Sequence, residues 1–385
     1  MKTVLAVLSV VVAAGLTLGA QTYVDVTGAG AEKQTVSIAV SGAQAATFTK
    51  SLKRNLELSG CFVVRPSGSI KVTGNVNDEI VATGPKKLHV TTTMVANEKD
   101  ARMAARLVAD GLCEAFAGQK GFARDPIVFV SRKSAKSSEL CMCYPDGQDI
   151  RQLTADAQAV VGPRWKDKHT VFYTGFLNGG PQIWEQNVVT GKRKSVWNFK
   201  GLSTGAVLSP DGQRVAIILS FQGNPELYVI ELATRKWTRL TKTPNASEGQ
   251  PSWSPDGKKI VYVSDETRHP QLYVIDVATK AKRRLTSRGS QNVDPDWGRD
   301  GRIAYITKRG GLSQVAVLEP AEGDGSARLV TTPGSWEHPS WSRDMRHLTA
   351  GRDKALFVVD TVDGGDAPVQ LFFNAGTWIT PSWAK

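Results

Sequence analysis

The amino-acid sequence predicts a mainly β protein, in which a six-bladed β-propeller is preceded by a small α+β domain. Trp253, Trp297 and Trp341 each follow a proline by two positions, and successive members of this series are 44 residues apart. Each interval contains short segments rich in β-branched and aromatic residues, separated by turn residues. Four strands in a repeat of about 40–45 residues are typical of a propeller blade.

Residues 250–286 show how residue types specify one blade. QPSWS begins the repeat as a short strand, and PDGK follows as a turn in which proline fixes φ and Asp-Gly supplies the tight bend. KIVYVS and QLYVIDV are rich in β-branched and aromatic residues, which indicates two further strands. RRLT is the fourth strand, after a second turn. A blade of this kind buries its faces only by stacking against neighbouring blades.

The first strands of the repeats predict how the ring closes. Residues 379–385 form a first strand with no blade of its own, whereas residues 126–154 contain three strands with no first strand before them. We therefore expect residues 379–385 to complete the first blade, so that residues 126–385 form a closed propeller without two exposed sheet edges. The first strands end at Trp165, Leu208, Trp253, Trp297, Trp341 and Trp383, and we expect the tryptophans to pack between blades.

Residues 201–205, Gly-Leu-Ser-Thr-Gly, match the G-x-S-x-G pattern of a serine hydrolase and make Ser203 a candidate nucleophile. That chemistry needs a strand before the serine and a helix after it. Here a short apolar stretch and a Pro-Asp-Gly turn follow instead, as they do in the next repeat. We therefore interpret Ser203 as part of a strand and expect no catalytic residue and no enzyme activity.

Residues 1–20 predict a secretory signal peptide, with Lys2 before a mostly apolar run and cleavage after Ala20. The mature protein is expected to be exported, monomeric and without a membrane span, because no later apolar stretch is long enough to cross a bilayer. The formal net charge of +12 includes no long basic block. We interpret this charge as a solvated basic surface and expect no nucleic-acid partner.

Residues 21–125 lack the repeat and predict the small α+β domain. A strand over residues 35–40 precedes a helix within residues 41–59, and Asn97 is a suitable N-cap for a second helix. Residues 21–30 are expected to form an extended, mobile segment, because they lie at the mature terminus and include two glycines.

The four cysteines leave two interpretations open. Cys61 and Cys113 are expected to lie near each other, either as a disulfide of an oxidising compartment or as two small buried apolar side chains. Cys141 and Cys143 form C-x-C, which lacks the further ligands of a metal motif. We therefore predict no metal site and no cofactor.

Three stretches and the domain order resemble the TolB family of the Tol-Pal system. The stretches are FAGQKGFARDPIVFVS at the domain junction, QPSWSPDGKKIVYVSD in the fourth blade, and GSQNVDPDWGRDG entering the fifth. The resemblance implies a non-enzymatic periplasmic scaffold that binds the peptidoglycan-associated lipoprotein Pal through the propeller and inner-membrane Tol proteins through its N-terminal end. It also implies a role in outer-membrane integrity and envelope constriction at division. An exported propeller that binds peptidoglycan or another envelope ligand is the alternative.

The loops that lead into the first strands predict the Pal-binding face, because these loops converge on one end of a propeller. Several carry polar or acidic residues just before the strand, so we expect an acidic, hydrogen-bonding mouth, against the alternative of solvated loop ends without a partner. The N-terminal segment alternates in polarity at Tyr23, Val24 and Asp25, and it is expected to bind a TolA-like protein by strand addition. The residues predicted for the Pal face are Thr204, Glu248, Gln250, Asn292, Asp294, Glu337 and His338.

Overall fold

The computed structural model describes residues 32–384, except 93–94, 135, 178, 363–366 and 373–375. Its first part is an α+β domain whose five-stranded sheet has the order β2-β1-β3-β4-β5. Strand β1, second in this order, is parallel to both of its neighbours, and the other pairs are antiparallel. The elements are β1 (Gln34–Ser41), α1 (Ala45–Leu58), β2 (Phe62–Val64), β3 (Ile70–Asn75), β4 (Glu79–Thr83), β5 (Lys87–Thr91) and α2 (Glu98–Leu112), which continues as a π-helical turn over Cys113–Ala117.

The two helices form where the apolar pattern and the cap residues direct them. Phe48, Leu52 and Leu56 lie at four-residue steps along α1, and all three are fully buried against the sheet. The side chain of Asn97 accepts a hydrogen bond from the backbone amide of Asp100 at 3.0 Å, so the predicted N-cap of α2 is confirmed. The helices pack on each other, α1 also packs on β1 and β2, and α2 also packs on β5, which makes one apolar core for this domain.

In the described residues after this domain, six four-stranded antiparallel sheets follow one another, and the predicted fold class is confirmed. Each sheet is a blade whose first strand is innermost. The blades are β29-β6-β7-β8, β9 to β12, β13 to β16, β17 to β20, β21 to β24 and β25 to β28. Their bounds are β6 (Ile127–Arg132), β7 (Ser138–Cys143), β8 (Arg151–Gln152), β9 (Val160–Asp167), β10 (Thr170–Gly175), β11 (Gln182–Asn187), β12 (Arg193–Trp197), β13 (Ser203–Leu208), β14 (Arg214–Leu219), β15 (Glu226–Glu231), β16 (Trp237–Arg239), β17 (Glu248–Trp253), β18 (Lys259–Ser264), β19 (Gln271–Asp276), β20 (Lys282–Arg284), β21 (Gln291–Trp297), β22 (Ile303–Arg309), β23 (Leu312–Leu318), β24 (Arg328–Leu329), β25 (Glu337–Trp341), β26 (His347–Arg352), β27 (Ala355–Asp360), β28 (Val369–Gln370) and β29 (Trp378–Trp383).

The C-terminal strand β29 is the inner strand of blade 1. It pairs antiparallel with β6, placing Ile379 opposite Val130 and Trp383 opposite Ile127. Trp383 is almost completely buried, and its indole Nε1 donates to the carbonyl of Asp125 at 3.0 Å. The two ends of the propeller segment therefore meet in one blade, as the repeat pattern predicts.

Side chains of the inner strands join each blade to the next. The backbone amide of Trp341 donates to the Asp296 carboxylate at 2.7 Å, and its indole Nε1 donates to the Asp296 carbonyl at 3.1 Å. The guanidinium of Arg302 lies over the Trp341 ring at 5.0 Å from its centroid. The predicted packing of tryptophans between blades is therefore present. Equivalent amide donations run from Trp297 to Ser252 at 2.9 Å and from Trp383 to Ser340 at 3.1 Å.

Threonines in the Leu-Thr pair at the end of the fourth strand hold that strand to the third. The Thr286 hydroxyl accepts from the backbone amide of Leu272 at 3.0 Å and donates to Gln271 Oε1 at 2.9 Å. Because these groups are buried, each unmade bond would cost about 1–3 kcal/mol. Amide donations of the same kind join Leu140 to Thr154 at 2.9 Å and Leu227 to Thr241 at 2.9 Å.

The α+β domain lies against one end of the propeller, where the turns between first and second strands and between third and fourth strands lie. Arg106 of α2 is fully buried and forms ion pairs with Asp146 at 2.9 Å and Asp149 at 2.7 Å, both in the last turn of blade 1. Arg54 of α1 donates to the carbonyl of Gln370 in blade 6 at 3.0 Å. The opposite end of the propeller, where each fourth strand leads into the next first strand, is therefore the end away from this domain.

Candidate functional site

All six inner strands contain a β-bulge near their start, and the bulge fixes the geometry of the propeller mouth. The strand register shifts at this point in every blade. One residue per blade has a left-handed backbone there, a conformation that costs little for glycine and more for other residues. We call these residues the bulge ring: Gly162, Gly205, Gln250, Asp294, His338 and Thr380, with φ between 48° and 68°.

Three neighbouring members of the bulge ring are linked by hydrogen bonds across the blades. Gln250 donates through its amide nitrogen to the Asp294 carboxylate, and the Asp294 backbone amide donates to Gln250 Oε1 at 2.9 Å. The backbone amide of His338 donates to the other carboxylate oxygen of Asp294 at 3.1 Å, and His338 Nδ1 lies 3.0 Å from Oδ1. The chain Gln250–Asp294–His338 therefore ties blades 4, 5 and 6 together at the mouth.

Charge pairing between Asp294 and His338 shifts the pKa values of these two side chains in opposite directions. Burial opposes ionisation of Asp294, but the His338 imidazolium, its hydrogen bonds and Arg164 outweigh burial and lower the carboxyl pKa. Burial likewise disfavours protonation of His338, but Asp294 and Glu337 outweigh it and raise the imidazole pKa. Both directions favour the charged forms of Asp294 and His338 over their neutral forms.

The structure separates the residues predicted for the Pal face into two groups. Gln250, Asp294 and His338 belong to the bulge ring, and Thr204 precedes its glycine member. The Thr204 hydroxyl is bonded to that of Thr174 in blade 2 at 3.1 Å. The second group, Glu248, Asn292 and Glu337, lies two or one positions earlier in the inner strands.

The expected acidic mouth is wrong at Glu248, because its side chain turns into the blade, as that of Asn292 also does; Glu337 is half-buried near His338. Glu248 is 4% exposed, and it accepts a hydrogen bond from Thr243 at 2.7 Å. Burial raises its pKa to about 7, so much of its charge is lost near neutral pH. Burial also raises the pKa of Glu337. Asn292 is fully buried and donates to Gln271 Oε1 at 2.7 Å, which makes it a structural residue of blade 5.

Ser203 does not form a nucleophile site. It is the first residue of β13, is completely buried, and pairs with Leu219 in the next strand. No described group bonds its hydroxyl, so no base is positioned to activate it. The second glycine of the G-x-S-x-G pattern, Gly205, has φ of 68° and is the bulge-ring member of blade 3. The G-x-S-x-G pattern of this sequence therefore corresponds to a β-bulge in an inner strand.

The disulfide interpretation of Cys61 and Cys113 is not supported, because both are free thiols in the structure. The Cys61 sulfur lies 3.2 Å from Gln119 Oε1 and 3.3 Å from the Ser59 carbonyl, and it donates toward these oxygens. The two cysteines are close enough for their charges to interact, as the sequence predicts, and burial raises the pKa of both thiols. Among the described residues, no cluster of three or more potential metal ligands occurs.

The residues predicted to form the N-terminal features lie outside the described residues. This applies to the signal peptide, to the extended segment and to Tyr23, Val24 and Asp25. In the part of the chain that the structure does describe, no helix is both long and apolar enough to cross a bilayer.

The fold and the mouth define a class: a six-bladed propeller with an α+β domain fixed to one end and a hydrogen-bonded bulge ring toward the other. A family model described as the TolB beta propeller domain matches residues 113–385. The chain belongs to the TolB family.

Curated relatives match over part of their length. The chain is 35% identical over 101 residues to the Tol-Pal system protein TolB of Chromobacterium violaceum. The aligned stretch covers 26% of this chain and 23% of that protein. It is 26% identical over 159 residues to the same protein of Gluconobacter oxydans, which covers 40% of this chain and 35% of the relative. The matched stretches thus span about a quarter to a third of these relatives.

Solved structures agree on the fold. The crystal structure of TolB from Acinetobacter baumannii superposes with a TM-score of 0.79 at 23% identity, covering 92% of this chain and 97% of that one. A structure titled putative TolB from Agrobacterium tumefaciens gives a TM-score of 0.51 at 19% identity, covering 66% and 90% of the two chains. The first of these includes both the α+β domain and the propeller.

Proposed function

We propose that the protein is a non-enzymatic periplasmic scaffold of the Tol-Pal system, which binds a Pal-like lipoprotein at the mouth of the propeller. The observation that carries the proposal is the bulge ring. It presents polar groups on fixed backbone at the end away from the α+β domain, in a chain of the TolB family. A rigid, prearranged surface of this kind loses little conformational entropy on binding.

The same geometry favours recognition over catalysis. Gln250, Asp294 and His338 of the bulge ring bond to one another, and the pKa shifts of Asp294 and His338 favour the charged form of this ionisable pair. A general acid or base needs a pKa near the working pH and a free position for substrate. A preformed ion pair instead offers fixed charge to a complementary partner, which increases specificity and association rate.

The N-terminal signal peptide and segment complete the proposal. Cleavage after Ala20 would release a mature protein that begins with residues 21–30, and this segment is proposed to bind a TolA-like inner-membrane protein. With one partner at each end, the protein would connect the two membranes of the envelope. Its proposed roles are outer-membrane integrity and constriction of the envelope during division.

Binding of the soluble domain of a Pal-like lipoprotein, measured by isothermal titration calorimetry, tests the proposed face. Thr204→Arg places a bulky cation beside the bulge ring and should weaken binding about tenfold or more. Gln213→Arg is the matched control, because it adds the same charge in an exposed turn at the opposite end of the same blade. Unchanged binding by a folded Thr204→Arg variant would place the Pal contact elsewhere.

Deletion of residues 21–30 tests the second contact. The truncated protein should lose affinity for a TolA-like domain and keep its affinity for the Pal-like protein. Sedimentation with purified murein is the control for the alternative function. Sedimentation with murein in the absence of any bound envelope protein would support a peptidoglycan-binding propeller instead.

A further inference from the structure

A cavity of about 1290 Å³ occupies the propeller channel at the end that carries the α+β domain. Its wall includes the residues two positions after each bulge-ring member, and Lys99 and Arg124 of the α+β domain complete it. None of the six bulge-ring residues lines it, so it is separate from the proposed Pal face. The inner-strand residues of its wall are Arg164, Val207, Ser252, Asp296, Ser340 and Ser382.

The cavity wall contains eight Lys or Arg side chains and four carboxylates. A concave surface with an excess of one charge focuses the electrostatic potential and attracts ions of the opposite sign. The cations are Lys99, Arg124, Arg151, Arg164, Lys166, Lys168, Arg299 and Arg343, and the carboxylates are Asp125, Asp149, Asp167 and Asp296.

The four carboxyl groups of the cavity wall already interact with other groups of the protein or are partly neutralised by burial. Asp149 forms ion pairs with Arg102 at 2.6 Å and Arg106 at 2.7 Å, neither of which lines the cavity. Burial raises the pKa of Asp125 to about 6, so part of its charge is lost in mildly acidic conditions. Asp167 and Asp296 accept hydrogen bonds from backbone amides at 2.8 Å and 2.7 Å. Their negative charge is thus partly compensated by the protein itself.

Several cations of the wall have no such compensation. Within the described residues, no carboxylate lies within ion-pair distance of Lys99, Lys168 or Arg299. The Arg164 guanidinium donates to the carbonyl of Pro163 at 3.3 Å, and its charge also acts on Asp294 of the bulge ring without a direct ion pair. These four side chains come from the α+β domain, from blade 2 and from blade 5. Together they surround the cavity with positive charge from three directions.

We propose that this cavity binds an acidic peptide segment of a partner protein. Its volume exceeds that of a single small anion, which suits an extended segment with several carboxylates. Trp165, Val207 and Trp297 add apolar surface between the cations. A uniformly charged polyphosphate would place phosphates against Asp167 and Asp296, whereas a peptide can alternate carboxylates with neutral residues. The site is independent of the proposed Pal face.

The probe is a fluorescein-labelled twelve-residue peptide in which glutamates alternate with alanines, measured by fluorescence anisotropy at low salt. The peptide with glutamine in place of glutamate is the control for charge. We expect the glutamate peptide to bind the full chain, the glutamine peptide not to bind, and added salt to weaken binding. Failure of the glutamate peptide to bind would overturn the proposal.

The double variant Lys168→Glu with Arg299→Glu should weaken peptide binding by about tenfold or more. Both side chains lack ion-pair partners, so the fold should be retained, as circular dichroism can verify. Lys50→Glu with Lys236→Glu is the matched control, because it changes the net charge equally at exposed positions outside the cavity. Equal weakening in both variants, or none in the first, would reject the cavity as the site. Tighter binding of inorganic polyphosphate than of the peptide would overturn the peptide assignment.

Discussion

His338 and Asp294 occupy equivalent positions in neighbouring blades, 44 residues apart, and their side chains lie 3.0 Å apart as an ion pair. Both residues adopt left-handed backbone, with φ of 48° and 54°. The ion pair offsets the energetic cost of these two left-handed backbone conformations. We therefore expect the pair to contribute measurably to the stability of the propeller.

His338→Gln tests the pair, because Gln250 already occupies the matching position in blade 4 with φ of 51°. Loss of the charged hydrogen bond should lower the free energy of unfolding by about 2 kcal/mol. The raised pKa of His338 means that its stabilising effect is complete below its usual value of 6.5 and is lost as pH rises through the folded pKa. Urea denaturation should therefore show a larger deficit of the variant at about pH 6 than at about pH 9. A deficit that grows with pH would contradict the assignment.

Glu248→Gln tests the buried carboxyl at the start of blade 4. Its pKa is raised from the usual 4.5 to about 7, so its stabilising effect is complete below 4.5 and is lost as pH rises through about 7. The variant should gain about 1–3 kcal/mol relative to the wild type between about pH 5 and about pH 8. Glu231→Gln, at an exposed strand end, is the control and should show no such gain. The measurement is urea denaturation across this range, and a flat difference for Glu248→Gln would refute the burial argument.

Trp383→Ala tests closure of the propeller by the C-terminal strand. The substitution removes a buried ring that packs against Phe122 at 5.2 Å and donates to Asp125, so it should cost about 3–5 kcal/mol. Trp237→Ala is the control, because that ring is 41% exposed in an outer strand. Thermal unfolding followed by calorimetry compares the two. Equal losses of melting temperature would show that β29 is not essential to the ring.

Arg106→Met tests the contact between the domains. It leaves Asp146 and Asp149 buried without their shared cation and removes the stacking of Arg106 on Tyr144, 4.0 Å away. Breaking a buried ion pair in this way should cost about 3–5 kcal/mol. Lys53→Met on α1 is the control, since its pair with Glu57 is exposed and should matter by less than about 0.5 kcal/mol. Limited proteolysis at residues 118–126 should accelerate only in Arg106→Met.

The fold was predictable because its signal is repeated. Each tryptophan of the series is buried or half-buried between blades, so the same local pattern recurs wherever the chain starts a new sheet. Closure was predictable for the same reason, since a first strand without a blade and a blade without a first strand must pair. The Leu-Thr pairs also recur in the sequence, but their role depends on a hydrogen bond to another strand, which periodicity does not reveal.

The candidate site was less predictable than the fold, because backbone conformation and side-chain burial determine which residues form it. A residue before proline is expected in the extended region, yet Gln250, Asp294 and His338 precede prolines and have positive φ. Glu248 is an ionisable residue near a loop, which suggests an exposed side chain, but the chain turns its carboxyl group into the blade. The sequence also contains the cations of the channel at scattered positions, and only the closed ring brings them around one cavity.

The α+β domain contacts blades 1 and 6, and blade 1 is the place where the two ends of the propeller segment meet. Arg106 holds the last turn of blade 1, Arg54 reaches blade 6, and Asp125 accepts from Trp383 of the closing strand. We therefore expect separation of β29 from β6, which opens the ring, to be coupled to release of the α+β domain. A mechanical force on the α+β domain would act first on the pairing of β29 with β6. Tension could therefore loosen blade 1 before it disturbed the other five blades.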